Sequence, residues 1–266
     1  MVNAISTSRT HSLFTSTISS EKNGQTLLLG KPLEQFVQNR SFAWIVSSLW
    51  LGRELRSKKT EQVIDTILRL GVDHGPYVSG AVNTIVAARA GKDLVSALCA
   101  GLLTIGPRFG GASNAAASIW FHALQKKQKP EDLVEEYAKV KKYIPGIGHK
   151  QYRIDIPDPR VQDLLKHAKN GKYTAYAQAV ETITTMKKPN LILNIDGAIG
   201  AVVMDILVTE EKLLSEQLQT LLDVQFIDGI FVLSRTVGFM AHYFDQKRLN
   251  EGLFRLPVEQ VFTPGI

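Results

Sequence analysis

Apolar positions recur at helical rather than alternating spacing along most of the chain, which predicts an all-α fold. Thr60 can cap a helix whose stripe is Val63, Ile64, Ile67 and Leu68. Pro130 opens another, with Glu131 and Asp132 in its first turn, Val134 and Tyr137 beyond, a supporting Glu135–Lys139 pair, and Pro145 as its stop. Pro159 starts the next, with Val161, Leu164, Leu165 and Ala168 on one face and Asn170-Gly171 ending it. Helical patterns at Ala175–Met186, Leu213–Leu222 and Ile227–Phe244 complete the set. The exception is a short strand or hairpin within Thr15–Leu29, centred on Asn23-Gly24. Leu191 to Val208 is the most apolar stretch, but Asp196, Asp205 and two interior glycines make it a buried core segment rather than a membrane span. There is no tandem repeat and no low-complexity linker in the interior.

Composition narrows this picture. The 266 residues, 44% of them hydrophobic, suit one large domain or two intimate lobes. The formal charge of +6 is modest and would favour an anionic ligand. Lys139-Val140-Lys141-Lys142 reads as the solvated end of a helix rather than a nucleic-acid patch. One cysteine, Cys99, excludes an internal disulfide and a cysteine-based zinc cluster, which points to a reducing, cytoplasmic setting. Its apolar neighbourhood suggests a buried thiol. Residues 1–14 read as a flexible leader rich in Ser and Thr. The first twenty residues hold Arg9 and no acid, which a transit peptide would also fit.

Two charges stand apart. Asp196 is the one ionisable side chain between Lys188 and Asp205, and Arg235 the one between Asp228 and His242. Either each has an internal partner, or Arg235 faces a cavity and holds a substrate carboxylate while Asp196 is an acid of raised pKa. His74 and His149 adjoin glycine turns that would present their rings to a cleft. His122 suits packing or surface, His167 a polar flank, His11 the leader, and His242 either the core or support of a site. No two histidines have metal spacing, so no metal is expected.

The blocks Asp73-His74-Gly75-Pro76, Ala90 to Ser96, Gly101 to Gly106, Arg108-Phe109-Gly110-Gly111-Ala112, Gly146-Ile147-Gly148-His149, Lys187 to Gly197 and Asp245 to Leu249 resemble, in order, the C-terminal lyase module of ATP-citrate lyase. The likeness runs from about Thr15 to Pro257, and the same positions resemble citrate synthase more distantly. The resemblance implies a citrate synthase-like helical fold over residues 15–266, with a large lobe, a small lobe at roughly 112–205, and a short N-terminal β element. It implies an oligomer, a dimer at least and compatibly a tetramer, because a neighbouring subunit completes the pocket.

The resemblance also carries roles. His74, His149 and Asp196 match the catalytic trio. Arg160 and Arg235 match the arginines that hold substrate carboxylates, Phe231 the ring beside the substrate, and Arg255 an arginine donated across the dimer. Pro145, Gly146, Ile147 and Gly148 match the loop that contacts coenzyme A, with Lys150 and Arg153 placed to meet its phosphates. Phe109 stands where citrate synthase has a histidine, and the lyase module also has phenylalanine there.

The expected activity is therefore citryl-CoA lyase, a retro-Claisen cleavage to acetyl-CoA and oxaloacetate. His74 or His149 would take the hydroxyl proton and Asp196 would protonate carbon. No cofactor is expected beyond the coenzyme A of the substrate, and neither nucleic acid nor membrane as a partner. The chain contains no citrate-activating segment, so a separate citryl-CoA synthetase is the expected partner, as in a reductive tricarboxylic acid cycle. The rivals are a citrate or 2-methylcitrate synthase on the same fold and a non-catalytic module that assembles synthetase subunits.

Overall fold

The computed structural model describes residues 15–107, 109–168 and 170–264, so the expected leader at 1–14 lies outside it. The chain divides into two compact units, with the boundary between Glu61 and Gln62. In the first, β1 (Ser19–Lys22) and β2 (Gln25–Leu28) form the expected hairpin, and β3 (Lys31–Pro32) pairs antiparallel with β2. Asn23 and Gly24 connect β1 to β2 with φ of 53° and 74°, the left-handed pair that a two-residue hairpin turn demands. There follow α1 (Leu33–Asn39) and α2 (Phe42–Leu51). Ser41 caps α2 by accepting from Trp44 N at 3.1 Å, and Phe36 packs on the Trp44 ring.

Helix α3 (Lys58–Gly71) contains the unit boundary. Its stripe of Val63, Ile64 and Ile67 is buried as the periodicity predicts. Thr60 does not cap it. The helix begins two residues earlier, where Ser57 Oγ accepts from Lys59 N at 3.2 Å, and Thr60 is buried inside.

The second unit continues with α4 (Ser79–Arg89), α5 (Leu94–Leu102), α6 (Ser113–Gln125), α7 (Pro130–Lys139), α8 (Pro159–Leu165), α9 (Lys172–Lys187), α10 (Ile195–Thr209), α11 (Ser215–Asp223) and α12 (Phe226–Leu249). Helix α12 packs across the α4–α5 pair, and α10 packs against α6, α8 and α9. Every residue of α10 from Gly197 to Leu207 is buried. The expected Glu135–Lys139 pair forms, at 2.9 Å. Cys99 is exposed rather than buried: α5 turns Ala97 and Gly101 inward, and Cys99, midway between them, points to the opposite side. Among the described residues no single helix is long and apolar enough to cross a membrane.

Candidate active site

Loops and helix ends of the second unit bring the outlying side chains together. A cavity of about 180 Å³ is lined by His74, Phe109, Gly110, His149, Arg160, Asn194, Ile195, Asp196, Phe231 and Arg235. All three residues of the expected trio, both arginines and both phenylalanines are there.

His74 sits in the turn between α3 and α4. Asp73 shapes that turn by accepting from Gly75 N at 3.0 Å and is itself held by His242 Nε2 at 3.0 Å. His242 thus reaches from α12 to support the His74 turn. Arg160 lies in the first turn of α8, capped by Asp158. The Asp158 carboxylate accepts from Arg160 N and Nε at 3.0 Å and from Nη2 at 2.7 Å. Burial pushes the Asp158 pKa up, but the Arg160 bonds and charge prevail and hold it below the usual carboxylate range. The remaining Arg160 nitrogen, Nη1, donates to His74 Nδ1 at 3.1 Å.

That last contact sets the tautomer. A guanidinium only donates, so His74 Nδ1 must accept and the ring proton resides on Nε2. His149 is fixed in the same way, because its Nδ1 accepts from Gln151 N and Tyr152 N, both at 3.0 Å. Desolvation first, and nearby Arg160 second among the lowering influences, depress both imidazole pKa values. Each ring therefore presents Nε2–H as a donor. With each Nδ1 engaged in this way, the lone pair of either ring is directed at its own support rather than into the cavity.

His149 and Asp196 are registered by backbone. His149 N donates to Asn190 O at 2.9 Å, Gly148 N to Ile192 O at 2.7 Å, and Asn194 N to Gly146 O at 3.0 Å. The Pro145–Gly148 loop is thereby pinned to the strand-like segment that runs into the N-terminus of α10. Gly146 has φ +84°, and a Cβ there would lie 2.5 Å from Gly197 Cα. Only glycine permits that approach. Asn194 caps α10 through Gly197 N at 3.1 Å and places Asp196 in the first turn.

Asp196 Oδ1 accepts from Ser113 Oγ at 2.7 Å. Desolvation raises its pKa, and the hydrogen bond with Ser113 and the charges of Arg160 and Arg235 only partly oppose this. The second carboxylate of α10 behaves differently in space: Asp205 accepts from Tyr173 N at 2.9 Å and Thr174 N at 2.8 Å, which occupies it at the start of α9. Arg235, 5% exposed, has no ion-pair partner among the described residues, and its Nε and Nη1 are buried without any hydrogen bond. The guanidinium lies 4.9 Å over the Phe231 ring, which meets Phe109 edge-on at 6.4 Å. Arg160 is matched by Asp158, so Arg235 is the cavity's unpaired cation among the described residues.

The remaining residues singled out by sequence are elsewhere. Ile147 is buried within its loop, Lys150 is exposed, and Arg153 pairs with Asp155 at 2.8 Å on the surface. Arg255 is exposed in the segment after α12 and lines neither cavity described here. The sequence reading missed a second cavity of about 370 Å³ beside the Pro145–Gly148 loop, whose walls include Ile144, Ile147, Tyr137, Leu191 and the lysines Lys141, Lys142, Lys187 and Lys188. The doubled Lys-Lys pairs were its signal in the sequence.

Solved proteins match the chain over most of its length. ATP citrate lyase of Methanothrix soehngenii, solved with citrate and coenzyme A, superimposes with a TM-score of 0.92 at 39% identity, over 97% of this chain and 42% of that one. Citryl-CoA lyase of Hydrogenobacter thermophilus matches with a TM-score of 0.81 at 27% identity, over 96% of each chain. Fold and site together define an enzyme that makes or breaks a carbon–carbon bond on the citrate synthase scaffold. The chain belongs to the citrate synthase family, whose C-terminal domain matches residues 11–256. Human ATP-citrate synthase is 43% identical over 254 residues, covering 93% of this chain and 23% of that protein. ATP-citrate synthase subunit 1 of Sordaria macrospora is 42% identical over 253 residues, 93% of this chain and 37% of that one. The chain therefore spans less than half the length of these curated relatives.

Proposed function

We propose that this protein cleaves citryl-CoA to acetyl-CoA and oxaloacetate. The observation that carries the reading is Arg235, a buried guanidinium with unpaired donors, beside an aspartic acid whose surroundings favour its protonated form. A cation left unpaired in protein is costly, and a substrate carboxylate would relieve it.

In the cleavage, the bond between the hydroxyl-bearing carbon and the carbon next to the thioester breaks. The O–H electron pair becomes the new ketone of oxaloacetate, and the carbon–carbon pair becomes the acetyl-CoA enolate. Asp196 in its acid form delivers a proton to that carbon. The hydroxyl proton passes through water in the cavity and restores Asp196, so no net proton is consumed. His74 and His149 offer Nε2–H donors to the oxygens where negative charge develops. Arg160 and Arg235 orient the carboxylates. The lysine-walled cavity beside Ile147 would take the phosphates and adenine of coenzyme A, with the Pro145–Gly148 backbone alongside.

Citryl-CoA would come from a separate synthetase acting in the same cytoplasmic compartment. The active form would be a homo-oligomer in which Arg255 completes a neighbouring site. The test is incubation of purified protein with citryl-CoA, with released oxaloacetate read by malate dehydrogenase and NADH. Stoichiometric oxaloacetate and acetyl-CoA are expected. Turnover only in the direction of condensation, from acetyl-CoA or propionyl-CoA plus oxaloacetate, would make the enzyme a synthase. No turnover in either direction would leave an assembly module.

A further inference from the structure

We propose that Ser113 is a positioning residue that decides which oxygen of Asp196 carries the transferable proton. The inference deepens, and rests on, the reading of Asp196 as the acid that protonates carbon. Ser113 is the first residue of α6 and is 0% exposed. It lies behind the carboxyl, since Asp196 lines the cavity and Ser113 does not. Among the described residues Asp196 Oδ1, at 2.7 Å, is the one hydrogen-bond partner of its hydroxyl.

A buried hydroxyl hydrogen must find an acceptor. Serines inside helices can use the carbonyl four residues earlier, as Ser47 does with Ala43 O and Ser118 with Asn114 O. Ser113 has no such outlet, because four residues back the chain is in the Phe109 loop, outside the helix. Its hydrogen therefore goes to Asp196 Oδ1. An oxygen that accepts this hydrogen serves as the carbonyl of the neutral acid. Oδ2, with no protein partner among the described residues, is left as the O–H that faces the substrate.

The charged groups facing Asp196 are Arg160 from α8 and Arg235 and Asp228 from α12, with the titratable rings of His74 and His149 across the cavity. Ser113 is the uncharged donor among them, so Ser113→Ala changes the hydrogen bond and no charge. Without it the proton distributes over both oxygens and the carboxylate loses a stabilising donor.

In Ser113→Ala, kcat for citryl-CoA cleavage should fall roughly ten- to hundredfold, the size of one hydrogen bond to a charged group, with KM within about twofold of wild type. The alkaline limb of kcat should move to higher pH, because the acid form persists further. Ser113→Thr, which keeps the hydroxyl, should restore both. Isotope-edited infrared spectra of ¹³C-aspartate-labelled protein, with Asp196→Asn to identify the band, supply a reading that needs no turnover. The Asp196 carboxyl band should rise in frequency in Ser113→Ala and titrate at higher pH. An unmoved band and limb would overturn the proposal, even if kcat fell through loosened packing. Absence of cleavage in the wild type with a shifted band would instead sink the lyase reading and keep the Ser113–Asp196 bond.

Discussion

Arg235 makes opposite contributions to the empty and the occupied protein, and replacing it by methionine separates them. Methionine retains a flexible apolar stem while removing the guanidinium. In the empty protein Nε and Nη1 are buried and unpaired, and such donors cost about 1–3 kcal/mol each. The face of Phe231, 4.9 Å from the guanidinium carbon, offsets about 0.5–2 kcal/mol. Arg235→Met should therefore be more stable by up to about 5 kcal/mol, centred near about 3 kcal/mol, and each kcal/mol raises Tm by roughly 2–4 °C in a chain near this size. With substrate bound, the same group makes charge-assisted bonds to a carboxylate, each worth about 1.5–3 kcal/mol. Losing two of them removes about 3–6 kcal/mol of transition-state binding, or about 10²–10⁴ in kcat/KM. Differential scanning calorimetry without ligand and the oxaloacetate-release assay measure the two halves. A variant that melts lower than wild type yet keeps kcat/KM within threefold would refute the reasoning, because Arg235 would then be a structural cation.

Three further substitutions test the same geometry. Asp196→Asn should abolish cleavage while calorimetric affinity for coenzyme A stays within about twofold of wild type. Because burial raises the Asp196 pKa above 3.8, its stabilising neutral form is fully present below that value and lost as pH rises through the folded pKa. The Asn variant should match wild-type Tm in acid and exceed it above that transition, and parallel melting curves across pH would contradict the assignment. Gly146→Ala meets a positive φ and a Cβ 2.5 Å from Gly197 Cα, so strain of about 1–2 kcal/mol adds to overpacking of about 1–3 kcal/mol. Its Tm should fall by several degrees and coenzyme A binding should weaken. Lys188→Glu should lower coenzyme A affinity about tenfold in dilute buffer and much less at 1 M salt; equal affinities in titration calorimetry at both salts would remove the lysine-walled cavity from the proposal.

Legibility in the sequence followed the physics of each element. Helix α3 was read from its stripe because one face is buried and the other wet. Helices α4, α5 and α6 gave weaker patterns because they pack through small residues: Gly80 and Gly101 let Phe239 of α12 lie against α4 and α5. In α10, burial of Gly197 through Leu207 erases periodicity altogether, so the segment showed as core without declaring itself a helix. The hairpin was legible from two residues, Asn23 and Gly24, because the left-handed turn is a local demand.

Chain order alone determined that Asp196 and Arg235 are misfits in apolar surroundings, that glycine turns flank His74 and His149, and that the blocks around them resemble citrate synthase enzymes. These properties are written in neighbouring residues. Tertiary structure decided what the misfits touch. It paired Arg160 with Asp158 and turned its last donor onto His74, 86 residues away, which fixed the imidazole as a donor. It put Ser113 behind Asp196 across 83 residues and gathered two distant lysine pairs around one cavity. Hydrogen bonds and electrostatic fields act over a few ångströms of space, whatever the separation along the chain, so no pattern of spacing could have specified them.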